Sequence, residues 1–246
     1  MWLIVAGTLA ACTEKVDTSS RYVFKYDTAL SYLQKHEQYS EYVSLLMKTP
    51  VSVVSETTVG QLISTRGHYT VFAPTNEAID SFLVELNRDE PDLLSAPTWD
   101  AFYSEHKRDS IQRIIVHNSI IDSGDADDAF QTYTFPSTQG GEIMLPTMSG
   151  RRLTIYHGAS SDSLLVFNKY VINERNRDIP TMNGVVHQME DVIVPMNSTA
   201  YDYLQDIIQH QREGYLVMAR AIMACGLGDT LSVVRDDVYE LKYLLG

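Results

Sequence analysis

The side-chain types that most often carry chemistry are present in this sequence, but their spacing supports neither a catalytic site nor a metal site. The seven histidines are scattered, and no two of them stand at positions i and i+4 of one helix. Metalloprotease, nucleophile-elbow, P-loop and dinucleotide-binding motifs are missing from the sequence. One carboxylate cluster, Asp122, Asp125, Asp127 and Asp128, offers oxygen ligands, but its spacing differs from that of an EF-hand and is typical of a solvated loop. We therefore predict no catalytic residue, no metal and no cofactor.

One residue near the start of the sequence is a candidate for covalent modification. Residues 1–11 carry no charged side chain and end in Leu9-Ala10-Ala11, directly before Cys12. This apolar run is too short to span about 30 Å of hydrocarbon, but it has the length of a signal-peptide core. Leu-Ala-Ala-Cys resembles the lipobox of bacterial lipoproteins, which implies that residues 1–11 are removed and that Cys12 carries acyl chains such as palmitate. The alternative is a buried N-terminal strand with a free cysteine.

Composition and charge exclude several classes of protein and partner. Hydrophobic residues make up 44% and charged residues 21% of the 246 residues, which is typical of a globular protein and not of a disordered one. The net charge of −13 has the wrong sign for a nucleic-acid partner or for a polybasic contact with an anionic membrane. Membrane attachment is therefore expected through a lipid anchor only.

The elements that must position any binding residue begin with helices. Apolar residues recur with helical spacing in the first half of the sequence. They predict helices over residues 27–47 (interrupted near 37–39), 58–64, 76–86, 99–106 and 110–117, with a charged surface loop over 87–92. Between the second and third helices, Tyr69–Ala73 alternates as a strand and stops at Pro74, and Thr75 is placed to cap the next helix.

The second half of the sequence is dominated by short β-like runs separated by glycine and asparagine turns. They cover residues 131–135, 141–145, 153–156, 164–167, 171–174 and 185–194. Helices followed by strands favour an α+β fold over alternating βαβ units.

Three segments of this pattern resemble motifs of the fasciclin domain. Tyr69-Thr-Val-Phe-Ala-Pro-Thr-Asn-Glu-Ala78 is similar to the first signature of that family, and Asn183-Gly-Val-Val-His-Gln-Met-Glu-Asp-Val-Ile-Val-Pro195 is similar to the second. Between them, Ile114-Ile-Val-His117 falls where the family carries a Tyr-His dipeptide, with valine in place of the tyrosine. The resemblance implies that residues 27–196 form a fasciclin domain, a twisted β-sheet wedge flanked by several helices.

The resemblance also implies candidate ligand-binding residues. Asn176-Arg-Asp-Ile179 is similar to an Asn-Lys-Asp-Ile-Leu segment by which some animal fasciclin domains are thought to engage integrins, although proline here replaces the leucine. Asp178, Ile179 and His117 are therefore the candidates, with Asp178 expected in an exposed turn. The alternatives are a turn with a buried isoleucine and, for His117 and His187, histidines that hydrogen-bond the backbone.

The end of the sequence repeats part of its beginning. Ala29-Leu-Ser-Tyr-Leu-Gln34 recurs as Ala200-Tyr-Asp-Tyr-Leu-Gln205. Residues 197–246 are therefore predicted to be the helical start of a second, incomplete fasciclin domain, with a chance match between amphipathic helices as the alternative. This domain would follow a signal peptide over residues 1–11, a tether over residues 12–26 and the first domain.

Three functions from different classes are compatible with these features. The first is a lipid-anchored protein of the bacterial cell envelope, at the outer membrane, that binds extracellular protein, matrix or glycan. The second is a non-catalytic accessory subunit of an envelope complex for polysaccharide uptake, and the third is an enzyme of unrecognised type. The sequence favours the first and predicts no enzyme activity, and it leaves the ligand and the oligomeric state open.

Overall fold

The computed structural model describes residues 26–124, 128–158, 162–194, 204–205, 208 and 216–231. The predicted signal peptide, Cys12 and almost all of the predicted tether lie outside these residues, as does much of the predicted second domain. Within them, no helix is both long and apolar enough to cross a bilayer.

The helices follow the predicted order, with differences at their ends. They are α1 (Ala29–Lys35), α2 (Ser40–Lys48), α3 (Val59–Leu62), α4 (Asn76–Asp89), α5 (Glu105–Asn118), α6 (Leu216–Ala224) and α7 (Gly228–Leu231). In the part of the chain that the structure describes, 3-10 turns cover Glu37–Tyr39, Trp99–Ala101 and Thr132–Thr134. The predicted interruption near residues 37–39 is therefore confirmed, because the first of these turns separates α1 from α2.

Side-chain caps decide where several helices begin. The hydroxyl of Thr75 accepts a hydrogen bond from the N–H of Ala78 at 3.2 Å, which confirms the predicted cap of α4. The separate helix expected over residues 99–106 is wrong, because the Ser104 side chain caps the N-terminus of α5, which begins at Glu105 and continues to Asn118. The loop expected over residues 87–92 also begins too early, since α4 runs to Asp89.

The strands form one mixed sheet within the described part of the chain. They are β1 (Tyr69–Pro74), β2 (Ile120–Asp122), β3 (Gly141–Glu142), β4 (Thr154–His157), β5 (Leu164–Val166), β6 (Tyr170–Ile172), β7 (Ile179–Thr181) and β8 (Gly184–Met189). Their order is β2-β1-β8-β6-β5-β4-β3, and β7 also pairs with β8. The predicted α+β fold, a sheet flanked by helices, is confirmed. The strand expected over residues 131–135 is wrong, since Thr132–Thr134 is a 3-10 turn, and β7 was not predicted as a strand.

The parallel pair of β1 and β8 lies inside the sheet, between β2 and β6, in register from Tyr69 opposite Gly184 to Pro74 opposite Met189. Successive side chains of a strand point to opposite faces of the sheet, and both faces of this strand pair are covered by hydrophobic side chains. Val71 and Val186 belong to the larger hydrophobic cluster, which includes the helices. Phe72 and Met189 belong to a second cluster with β4, β5 and β6. The two strands therefore connect both cores.

The turn before β8 ties the helices to this pair. The Asn183 side chain accepts a hydrogen bond from the N–H of Ala29 at 2.8 Å and donates to the carbonyls of Ile63 and Thr65 at 2.8 and 2.6 Å. Gly184 has φ +151°, and a Cβ at this position would lie 1.9 Å from the carbonyl oxygen of Tyr69. Only glycine allows the two strands to approach this closely.

The α6 and α7 helices lie in the range predicted to begin a second domain. In α6, Val217 and Met218 are exposed, and Ala219 is buried. Because much of residues 197–246 lies outside the described residues, the second domain stays a prediction.

We predict that Gly184→Ala lowers the free energy of unfolding by at least about 2 kcal/mol, because the methyl group collides with the Tyr69 backbone and φ is unfavourable. Gly150→Ala is the matched control, since Gly150 also has a positive φ (+81°) but has no neighbour within 4 Å of a new Cβ. This control should cost about 1–2 kcal/mol. Urea unfolding of the full chain measures both, and equal costs would show that the contact with Tyr69 is unimportant.

Candidate functional site

Asp178 lies directly before β7, and its carboxylate is directed into the protein. The carboxylate accepts a hydrogen bond from the N–H of Thr132 at 2.6 Å and a second, short one from the Thr132 hydroxyl. The side chain is 30% exposed, and the residue has φ +56°. The expected exposed turn with a carboxylate free for a partner is therefore wrong, because the 3-10 turn at Thr132 occupies both oxygens.

His187 of β8 completes this cluster on the inner side. It is fully buried between the rings of Phe72 and Phe135, whose centroids lie 5.3 and 5.5 Å from the imidazole. Its Nε2–H donates to the carbonyl of Phe130 at 2.8 Å, and its Nδ1 accepts from the N–H of Asp178 at 3.2 Å. These two bonds define the neutral Nε2–H tautomer and confirm the prediction of a histidine that bonds the backbone.

The arrangement disfavours a proton on Nδ1 of His187. Burial lowers the pKa of His187, and Arg177 acts in the same direction, whereas the Phe130 carbonyl and the Asp178 carboxylate favour the charged form less strongly. The cluster is therefore a structural connection between β8, the Asp178 turn and the Phe130–Thr132 segment.

We predict that Asp178→Ala lowers the free energy of unfolding by about 1–3 kcal/mol, because the Thr132 N–H loses its acceptor. Asp178→Asn is the matched control, since asparagine retains one acceptor oxygen and tolerates a positive φ, and it should be less destabilising. Urea unfolding of both variants, in the wild-type background and with Thr132→Val, gives the coupling energy. A cost of Asp178→Ala below about 0.5 kcal/mol would show that the carboxylate acts as an ordinary surface group.

We also predict that acidification destabilises the protein through His187. The pKa of this residue is lower in the folded protein than the unfolded value of about 6.5, so the unfolded chain takes up a proton first as the pH falls. Stability should therefore decrease below about pH 6.5, by up to about 1.4 kcal/mol per pH unit for this proton, until the folded pKa is reached.

His187→Gln is the control for this pH dependence, because the glutamine amide can donate to Phe130 and accept from Asp178 without titrating. Urea unfolding at pH 7, 6 and 5 should show a steeper loss of stability for the wild type than for His187→Gln. Identical slopes would contradict the assignment.

The other two candidate residues lie at different places in the fold. Ile179 is partly buried in β7, paired with Val186 and packed against the larger core cluster. His117 is buried near the end of α5, and its Nε2–H donates to the carbonyl of Pro50 at 3.0 Å. Among the described contacts, none joins His117 to Asp178 or Ile179, so the three candidates do not form one site. Their role in binding a ligand stays a prediction.

An open cleft of about 540 Å³ lies between the end of α2, the 3-10 turn at Trp99 and the first half of α5. This volume is within the range of about 300–1,000 Å³ that is typical of ligand sites. We call it the α2–α5 cleft. It is lined by Lys48, Thr49, Pro50, Trp99, Asp100, His106, Arg108, Asp109, Ser110, Gln112 and Arg113.

Most of the residues that line the α2–α5 cleft are polar or charged. Three cationic side chains face two carboxylates, and one of the cations, Arg108, is paired with Asp109 at 3.0 Å. The Trp99 ring stacks on Phe102 at 5.9 Å between centroids, and its buried Nε1–H interacts with the carboxylate of Glu41. Groups of three or more His, Cys, Asp or Glu side chains able to hold a metal ion do not occur in the part of the chain described. The cleft therefore offers hydrogen-bonding groups and charged groups to a ligand.

Sequence reasoning missed the α2–α5 cleft because its walls come from segments about 50 residues apart. One signal was available, since Gln112 stands beside Ile111 on the inward side of α5 and is itself buried. A buried glutamine in such a position indicates either a polar partner or a functional surface.

The family model of the fasciclin domain matches residues 45–195. The chain therefore belongs to the fasciclin family, whose domains are generally adhesion or binding modules. A solved FAS1 domain pair from the insect cell adhesion molecule fasciclin I is similar at 18% identity, with a TM-score of 0.48. The match covers 69% of this chain and 51% of that one, so the chain spans about half the length of that structure.

Proposed function

We propose that this chain is a non-catalytic, lipid-anchored binding module of the bacterial cell envelope, and that it attaches to an extracellular protein, matrix or glycan through the α2–α5 cleft. The observation that carries the proposal is the cleft itself, an open cleft on a fasciclin domain that is lined mainly by polar and charged residues. It is more accessible to a partner than the inward-facing Asp178 carboxylate.

Hydrogen bonds fix the walls of the cleft before a ligand arrives. The carbonyl of Pro50 is held by His117 at 3.0 Å, so the segment after α2 is tied to α5. The N–H of Thr49 donates to Leu45 at 2.9 Å, and its carbonyl accepts from Val59 at 2.8 Å. A site that is rigid beforehand loses less entropy on binding, which favours affinity. His117 is thus a positioning residue in this proposal.

The adhesive function is tested with beads that carry the full chain through a C-terminal tag. They are exposed to a panel of immobilised matrix proteins and glycans, with bare beads and beads carrying an unrelated acidic protein as controls. We expect saturable retention on at least one panel member. Retention no higher than on both controls for every member would contradict the proposal.

The anchor rests on the sequence of residues 9–12, which lie outside the described residues. We predict that the precursor, produced in a Gram-negative host, partitions into the detergent phase, because acyl chains contribute about 0.8 kcal/mol for each buried CH₂. Cys12→Ser should move the protein to the aqueous phase, whereas Cys225→Ser, the matched control, should leave it in detergent. Equal partitioning of the Cys12→Ser and wild-type proteins would contradict lipidation.

A further inference from the structure

We propose that the α2–α5 cleft binds an acidic polysaccharide, a chain of sugars that carry carboxylates. This inference rests on the proposed function and gives the ligand class of the same cleft.

The first observation is that two polar side chains in the cleft, mostly buried along their length, have unused hydrogen-bonding capacity at their polar ends. Thr49 is 4% and Gln112 is 7% exposed, and both line the cleft. Within the described part of the chain, neither the Thr49 hydroxyl nor the Gln112 amide makes a side-chain hydrogen bond. Neither side chain is among the buried polar atoms that lack a partner, so both polar ends are open to solvent in the cleft and available to a ligand with several hydroxyl groups.

The second observation is the local charge. The protein carries a net charge of −13, yet the cleft has more cations than carboxylates. Lys48 is exposed at the end of α2 and, in the described structure, forms no ion pair. A cation in this position, on an otherwise acidic protein, favours a ligand that brings its own carboxylate.

The third observation is the kind of apolar surface that the cleft provides. Trp99 and Pro50 are its apolar lining residues, and the remainder is polar. Protein partners usually insert large side chains into dry apolar pockets, whereas a sugar ring has one apolar C–H face and a polar edge. One indole among polar groups matches a sugar better than it matches a protein surface.

The test measures binding of fluorescent octagalacturonate and of a hyaluronan octamer to the full chain in detergent, with fully methyl-esterified octagalacturonate as the uncharged control. We expect saturable binding of at least one acidic octamer and weaker binding of the ester. Binding of the ester as tight as that of the acid would overturn the assignment of an acidic ligand.

Two variants locate the site. Gln112→Met keeps the side-chain volume but removes the amide, so it should weaken binding about three- to tenfold while the melting temperature is unchanged or higher. Lys48→Gln should weaken binding about two- to fivefold and reduce its dependence on salt. Arg175→Gln removes one positive charge outside the cleft and should leave binding unchanged. Binding that is unaffected by both cleft variants would overturn the site.

The remaining outcomes separate this inference from the proposed function. If neither acidic octamer binds but beads carrying the chain are still retained on a protein or a neutral glycan, the ligand class is wrong and the adhesive function stands. If the beads also fail on the whole panel, the proposed function fails as well.

Discussion

The structure depends on the close parallel pairing of β1 with β8. Both strands are buried on both faces, and the pairing is possible because Gly184 has no side chain to collide with the Tyr69 carbonyl. Pairing two strands that are far apart in sequence costs chain entropy, because the long segment between them must be closed into a loop. The ends of the paired strands must therefore be held by further contacts. Asn183 fixes one end, since its amide bonds the start of α1 and the end of α3. The strand pair and the Asn183 turn therefore set the position of the helices relative to the sheet.

Two groups of polar side chains differ in character. Near β8, the polar groups of His187, Asp178 and Thr132 hydrogen-bond one another and the backbone. These groups are therefore already paired within the protein. On the helical side, the α2–α5 cleft holds Gln112 and Thr49 without side-chain partners in the described structure. Paired buried groups stabilise a fold, whereas unpaired ones at a surface opening are available to a ligand. This contrast moves the binding assignment from the Asp178 segment to the cleft.

The sequence predicted the features that are determined locally. Pro74 and Thr75 mark a strand end and a helix cap through their own chemistry, and the family signatures place β1 and β8. The sequence failed where the decisive partner is distant. Asp178 stands among polar neighbours and was expected at the surface, but Thr132, 46 residues earlier, turns its carboxylate inward. The cleft was missed for the same reason, since only packing brings residues 48–50 beside α5.

The central claim is that the ligand binds in the α2–α5 cleft and that the β1–β8 pair and the Asp178 cluster do not change on binding. An ¹⁵N NMR titration of the full chain with octagalacturonate tests it most directly, because the side-chain amide of Gln112 gives its own signals. The account predicts shifts in these signals and in the backbone amides of residues 48–50 and 106–113, with Asp178 and Gly184 unmoved. Shifts concentrated at residues 176–179, or a spectrum that changes with neither octagalacturonate nor the hyaluronan octamer, would contradict it.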